Sequence, residues 1–244
     1  MHPLLQSVAH RPYPVPDGPW IMQQVWHDLL FAHWPIPPDV LRPLLPATLP
    51  LDTFQGQAWV GVVPFRMSGI RIRGLQPLPG VSRFPELNVR TYVEVAGRPG
   101  VYFFSLDAAN LLAVWGARIG FSLPYFHAAM RCMEEDGSIR YASHRYGAGH
   151  AAFVAEYKPL LPPRLAQPGS LEHWLTERYC LYTRRGGRIV RGEIHHEPWP
   201  LQDATANISV NTMTSAAGFD LPDLAPLLHF ARQIDVLIWP IRSI

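Results

Sequence analysis

The side chains best suited to chemistry fall in three clusters. His27 and His33 flank Leu29 and Phe31, and the alternation of a strand puts Val25, His27, Leu29, Phe31 and His33 on one face. That face is either a pocket wall, with both imidazoles turned on a ligand, or a packed layer in which the protein satisfies each ring nitrogen. Glu86, Asn88 and Arg90 share a second face, opposite Leu87, Val89 and Thr91. They suit a solvated surface or the polar wall of an enclosed space. Lysine is what an outer face more often carries, and of 21 Lys and Arg residues only Lys158 is lysine. Tyr125 and His127 form the third cluster. If a strand begins after the break at Pro124, they lie on one side, roughly 7 Å apart. Arg66 and Arg118 add guanidinium forks that match carboxylates or phosphates. Glu86, Tyr125 and His127 are thus candidate catalytic residues, and His27, His33, Arg66, Asn88, Arg90 and Arg118 candidate ligand-binding residues.

Other chemistries lack their motifs. There is no glycine-rich phosphate loop, no dinucleotide fingerprint and no nucleophile elbow. On a strand, His195 and His196 point to opposite faces and cannot grip one ion; His195 and Glu197 could, with a hydrogen-bonded strand edge as the plainer reading. Cys132 and Cys180 have no zinc or redox spacing. Neither a metal nor a cofactor is expected. A net charge of +2, a pI of 8.6 and no basic run beyond two residues argue against nucleic acid as a partner. No apolar run approaches the roughly 18 residues of a membrane span. No secretion leader is read in Met1 to Pro16, so a cytoplasmic location is expected. A small molecule is the expected partner, and a homo-oligomer is compatible with the chain.

The elements that must position these residues are short. Twenty-six prolines break the 244-residue chain, because proline ends helices and is excluded from central strands. Residues 1–19 read as a proline-rich strap, and 20–244 as a single domain. Strands are predicted at 24–34, 58–72 (interrupted), 86–95, 101–106, 126–133, 138–146, 151–157, 179–183, 188–199 and 235–239. Helices are predicted at 39–45, 110–121 and, from a Ser170 N-cap, to about 177. The remainder before 235 reads as helical or irregular. The fold class is α+β, mostly β, at turn spacings that suit a barrel or sandwich.

Three stretches resemble the YqjF-like bacterial family: Trp26-His27-Asp28-Leu29-Leu30-Phe31-Ala32-His33-Trp34-Pro35, Leu41-Arg42-Pro43-Leu44-Leu45-Pro46, and Phe84-Pro85-Glu86-Leu87-Asn88-Val89-Arg90-Thr91-Tyr92. That family is similar in fold to acetoacetate decarboxylase, which implies a cone-shaped, mostly antiparallel β-barrel with a few flanking helices. Gly116 to Pro124, His196-Glu197-Pro198-Trp199, and Asp220-Leu221-Pro222 leading to Val236 through Pro240 carry the more remote likeness. In the decarboxylase two lysines follow the proline, and one forms a Schiff base; Tyr125 and Phe126 stand at those positions here, and neither forms an imine. The resemblance sets His27 where that family uses an arginine near the substrate carboxylate. It likens Glu86 to a pocket glutamate.

Two functions remain open from the sequence. One is acid–base chemistry on a carbonyl compound, lyase- or isomerase-like, with His127, Glu86 or His27 moving protons and Arg90 clamping an anion. The other is a non-catalytic ligand-binding or sensing module with the same pocket. Both imply a carboxylate or carbonyl ligand, and neither is a lysine-dependent decarboxylase.

Overall fold

The computed structural model describes residues 2–77, 80–147 and 150–244. Its strands are β1 (Met22–Ile36), β2 (Ala58–Ile72), β3 (Phe84–Val95), β4 (Arg98–Ala108), β5 (Tyr125–Glu135), β6 (Ser138–Arg145), β7 (Ala152–Pro159), β8 (Cys180–Arg185), β9 (Arg188–His195), β10 (Gln202–Asn211), β11 (Leu227–Ile238) and β12 (Arg242–Ser243). The helices are α1 (Pro38–Leu41), α2 (Leu111–Phe121) and α3 (Leu171–Thr176).

The pairings close two rings that share one wall. β4, β3, β2, β1 and β11 are neighbours in that order. Through β10, β7, β6 and β5 the sheet returns to β4, and the β4–β5 contact is parallel. Through β9 and β8 it also returns to β4, because β9 pairs with β11 and β8 with β4. The first ring is filled by side chains such as Leu30, Val62, Leu87, Val89, Tyr141 and Phe153. On β3, Leu87 and Val89 point into that core, so Glu86, Asn88 and Arg90 must point into the second ring.

The shared face expected for Val25, His27, Leu29, Phe31 and His33 does not exist. Asp28 takes a left-handed φ of 53°, and the β1–β2 register slips between His27 and Ala32. Such a bulge adds a residue and reverses the phase of the alternation. Trp26 and Leu29, three residues apart, therefore line the same interior, and His27 is turned away from it. Asp28 tolerates this backbone because short polar residues visit the left-handed region at modest cost. Its buried carboxylate accepts from Arg66 Nε at 2.6 Å and Arg232 Nη1 at 2.8 Å, and Tyr157 Oη donates to its carbonyl at 2.9 Å.

The region before 235, read as helical or irregular, carries strand at 202–211 and from 227 onward, and only 212–226 between them is irregular, with a 3-10 turn at Ser215–Ala217. β10 alternates polar residues with Ala204, Ala206 and Ile208, which lie against the first ring's core, and these small side chains give a weak apolar signal. The final strand begins eight residues earlier than read, directly after Pro226.

A buried ion pair ties the rings where β4 meets β5. Arg145 Nη2 and Nε donate to Asp107 Oδ1 and Oδ2 at 2.7 and 3.0 Å, with side chains only 4% and 0% exposed. The guanidinium lies 3.9 Å over the Phe126 ring. Breaking one side of such a pair strands a buried charge, whereas removing both does not. Arg145→Met is expected to cost about 3–5 kcal/mol in urea unfolding. The double variant Asp107→Asn with Arg145→Met is expected to cost less than that single change.

Candidate functional site

The second ring encloses a cavity of about 580 Å³. That volume falls within the range of pockets for small organic ligands. Most of its wall is apolar, built by Leu29, Val63, Phe65, Met67 and Phe84 from the shared sheet. α2 lies across one side, presenting Leu112, Ala113, Gly116 and Ala117 at helical spacing. Asn110 caps this helix, its Oδ1 accepting from Ala113 N at 3.0 Å, and Ser122 ends it in the left-handed region at φ 55°.

Polar groups enter the apolar wall at few points. Glu86 is the third residue of β3 and is 3% exposed. Tyr125, the first residue of β5, donates its hydroxyl to Glu86 Oε2 at 2.7 Å. Burial pushes the Glu86 carboxyl up to about 8; the tyrosine bond opposes this, and Asp107 adds to it. Burial and the neighbouring glutamate push the Tyr125 phenol well above its ordinary value. At neutral pH both groups keep their protons. Tyr125 occupies one carboxyl oxygen, and the acid retains a proton of its own to donate.

Four residues further along β3, Arg90 makes no ion pair among the described residues, and its buried Nε has no partner. Its guanidinium carbon lies 5.5 Å from the Phe31 ring centre and 5.8 Å from that of Tyr92. The facing residue on β2 is Gly61, where a Cβ would come within 3.1 Å of the His33 ring and 3.5 Å of Arg90 Cγ. Glycine leaves the room that Arg90 occupies. Arg178, also in the wall, is 5% exposed; it donates to Asp52 Oδ2 at 2.7 Å and to the Trp174 carbonyl at 2.6 Å. Its second terminal nitrogen, like Asn88 Oδ1, is buried with no partner among the described residues.

His196 and Trp199 complete the polar set. His196 Nδ1 lies 2.6 Å from the Glu197 carbonyl, which can only accept, so Nδ1 carries the proton and Nε2 keeps its lone pair. Burial pulls this imidazole down to about 3, which keeps it neutral. Trp199, in the cavity wall, packs edge-on against Phe31 at 4.9 Å and stacks near Trp26 at 6.1 Å.

Of the residues singled out from the sequence, the structure brings Glu86, Asn88, Arg90 and Tyr125 to this wall and leaves the others elsewhere. His27, on the outer side of the bulge, bonds Ser68 Oγ at 2.7 Å. His33 is fully buried behind Arg90, shares a 2.7 Å hydrogen bond with Tyr92 Oη, and is held neutral by burial. Arg66 is committed to Asp28, and Arg118 donates from α2 to the Tyr125 carbonyl at 2.7 Å. His127 packs against Tyr146 in a tilted arrangement with ring centres 4.8 Å apart and does not line the cavity. His195 points away from His196, as alternation requires; its Nε2 lies 2.9 Å from the Leu4 carbonyl of the N-terminal segment.

Arg178, His196 and Trp199 were not among the candidates. The His196-Glu197-Pro198-Trp199 run was visible as a resemblance, but only the fold shows that His196 and Trp199 enter the same interior as Glu86. Arg178 carries no local signal, since it lies between α3 and β8 and reaches the cavity only by ring closure. A second cluster, Glu172, Asp203 and His229, has ligand atoms within 4.8 Å of one another. It lies outside the cavity, and Arg164 already bonds both carboxylates at 2.5 to 2.9 Å. A guanidinium, not an open coordination site, fills that cluster.

The comparisons with known proteins agree with this architecture. The chain is 53% identical over 229 residues to the uncharacterized protein YqjF of Bacillus subtilis (strain 168), covering 94% of this chain and 95% of that one. Among solved structures it resembles the enduracididine biosynthesis enzyme MppR, with a TM-score of 0.65, 12% identity, and 93% and 88% of the two chains covered. It resembles the acetoacetate decarboxylase of Legionella pneumophila at a TM-score of 0.64 and 12% identity over 97% and 93% of the chains. At such identity these two likenesses show the fold alone, which is acetoacetate decarboxylase-like. Residues 23–235 match the model of the DUF2071 family, described as an uncharacterized conserved protein, and the chain belongs to that family.

Proposed function

We propose that the cavity binds a small carboxylate or carbonyl compound and that Glu86 is the acid–base group acting on it, without a covalent intermediate. The observation that carries this reading is the Glu86–Tyr125 pair: a carboxylic acid in the cavity wall, raised to about 8 and oriented by a 2.7 Å bond. An acid in that range donates a proton to a carbonyl oxygen near neutral pH. Its ionised form is a stronger base toward a neighbouring C–H than an ordinary carboxylate. Arg90 offers an uncommitted cation to a carboxylate on the same ligand. Acetoacetate decarboxylase and MppR are neighbours in fold, and MppR has been solved complexed with pyruvate, a compound of this class.

Imine chemistry has no place in this reading. The single lysine, Lys158, is exposed on β7 and absent from the cavity wall. The chain is expected to form no borohydride-trappable adduct with acetoacetate, read by intact mass; a stable adduct on Lys158 overturns the assignment.

Proton transfer is testable without knowing the natural substrate. Exchange of the α-hydrogens of 3-oxo acids in deuterated water, followed by proton NMR, is expected to be accelerated, with an inflection near pH 8. Glu86→Gln is expected to lower that rate by ~10²-fold or more, the usual worth of a general acid–base group. Ligand binding with no exchange at any pH points to the binding module instead.

The same carboxyl predicts how stability changes with pH. A glutamate ordinarily loses its proton near 4.5, and Glu86 in the folded chain near 8. Its contribution to stability is complete below 4.5, declines as pH rises, and is lost above 8. The melting temperature of Glu86→Gln is expected to match the parent at pH 5 and to exceed it at pH 9.

A further inference from the structure

The cavity is polar at one end and apolar at the other. At one end lie Arg90, with its unpartnered Nε, Arg178, with its unpartnered Nη2, and the buried Thr176 and Cys180. At the other, where β1 and β2 run out, Met22, Ile70, Ile72, Leu75 and Leu112 form the apolar part of the wall, with Gln24, Arg71 and Gln76 beside them. There Ile72, Leu75 and Leu112 are 54%, 61% and 70% exposed, so the apolar end is the open one. Glu86 stands between the ends, four residues or about 13 Å along the strand from Arg90.

From this order we infer that the ligand is an amphipathic carboxylate with an extended apolar chain, a fatty-acid-like molecule. It enters head first, sets its carboxylate on Arg90, and leaves its tail among the mouth residues. The inference rests on the proposed reading of the site and adds the class and direction of the ligand. Arg90 is half-buried, its Nε is fully buried without a partner, and only aromatic rings face its charge, so an anion set there gains a desolvated, unpaired cation. Beyond Glu86 the charged group of the wall is Arg71, which is exposed to solvent and has its Nε and Nη2 donating to Gln23 Oε1 at 3.1 and 2.6 Å. Isolated apolar side chains are common on surfaces, but these three exposed ones are continuous with a cavity wall, and a ligand tail would remove them from water. A two- or three-carbon keto acid held at Arg90 would touch none of them.

Trp26 and Trp199 line the cavity and report its occupancy by fluorescence. Titration with butanoate, octanoate and dodecanoate is expected to show affinity rising with chain length. The limit is about fourfold per methylene, the factor that ~0.8 kcal/mol of burial implies. 1-Dodecanol is expected to bind at least tenfold more weakly than dodecanoate, and Arg90→Met to abolish that preference. Leu75→Glu is expected to weaken dodecanoate without affecting butanoate, and it guards against an Arg90 variant that fails to fold. Equal affinity for butanoate and dodecanoate, or an unchanged preference for acid over alcohol in folded Arg90→Met, overturns the inference. Glu86-dependent exchange of a short 3-oxo acid alongside no chain-length dependence would sink this inference and leave the proposed function standing. No binding of any acid together with no exchange would sink both.

Discussion

Everything in this molecule follows from one wall serving two interiors. β4, β3, β2, β1 and β11 form a continuous sheet whose faces are both covered, one by a packed core and the other by a cavity. Strand alternation makes this possible: each residue is assigned to one interior, and its neighbour to the other. On β3 the assignment is strict. Leu87 and Val89 are fully buried in the core, while Glu86, Asn88 and Arg90 face the cavity. A one-residue slip of β3 would put a carboxylate and a guanidinium among Tyr141 and Phe153, so the register is held by the cost of burying those charges.

Two devices keep the phases correct where the strands are long. Asp28 inserts an extra residue into β1, so that Trp26 before it and Leu29 after it serve the same cavity. Its carboxylate, gripped by Arg66 and Arg232, secures the bulge to β2 and β11. A second shift between Val89 and Arg90 in the β3–β4 register lets Leu106 and Phe103 line the same interior. At the β4–β5 junction, Asp107 and Arg145 neutralise one another inside the protein and set Tyr125, beside Phe126, within reach of Glu86. The geometry of the acid pair is thus inherited from the junction between the rings.

The electrostatics of the cavity come chiefly from exclusion of water. Burial is the largest cause of the shifts at Glu86, Tyr125, Arg178 and His196. It favours the neutral form of each: a carboxylic acid, a phenol and a neutral imidazole, with Arg178 anchored on Asp52. The wall is mostly apolar with a few convergent polar groups, the usual make-up of a small-molecule site.

The chain's own sequence determined the β-rich class, through frequent prolines and short alternating runs, and the pairing of Glu86, Asn88 and Arg90 on one face, through a clean period of two. It also determined that Lys158 is the only lysine, and its motifs pointed to the family. It did not reveal the bulge at Asp28, because a left-handed residue leaves no mark in a hydrophobic pattern, and His27 was therefore placed on the wrong face. β10 escaped notice because Ala204 and Ala206 are too small to signal a buried face. Only the tertiary structure decided which faces turn inward, since a polar strand face reads the same whether it meets solvent or a cavity. It likewise decided that Arg178 and His196, about ninety or more residues beyond Glu86 in the chain, share its interior. Local spacing records which side of an element a residue occupies; what lies on that side depends on how distant strands close the ring.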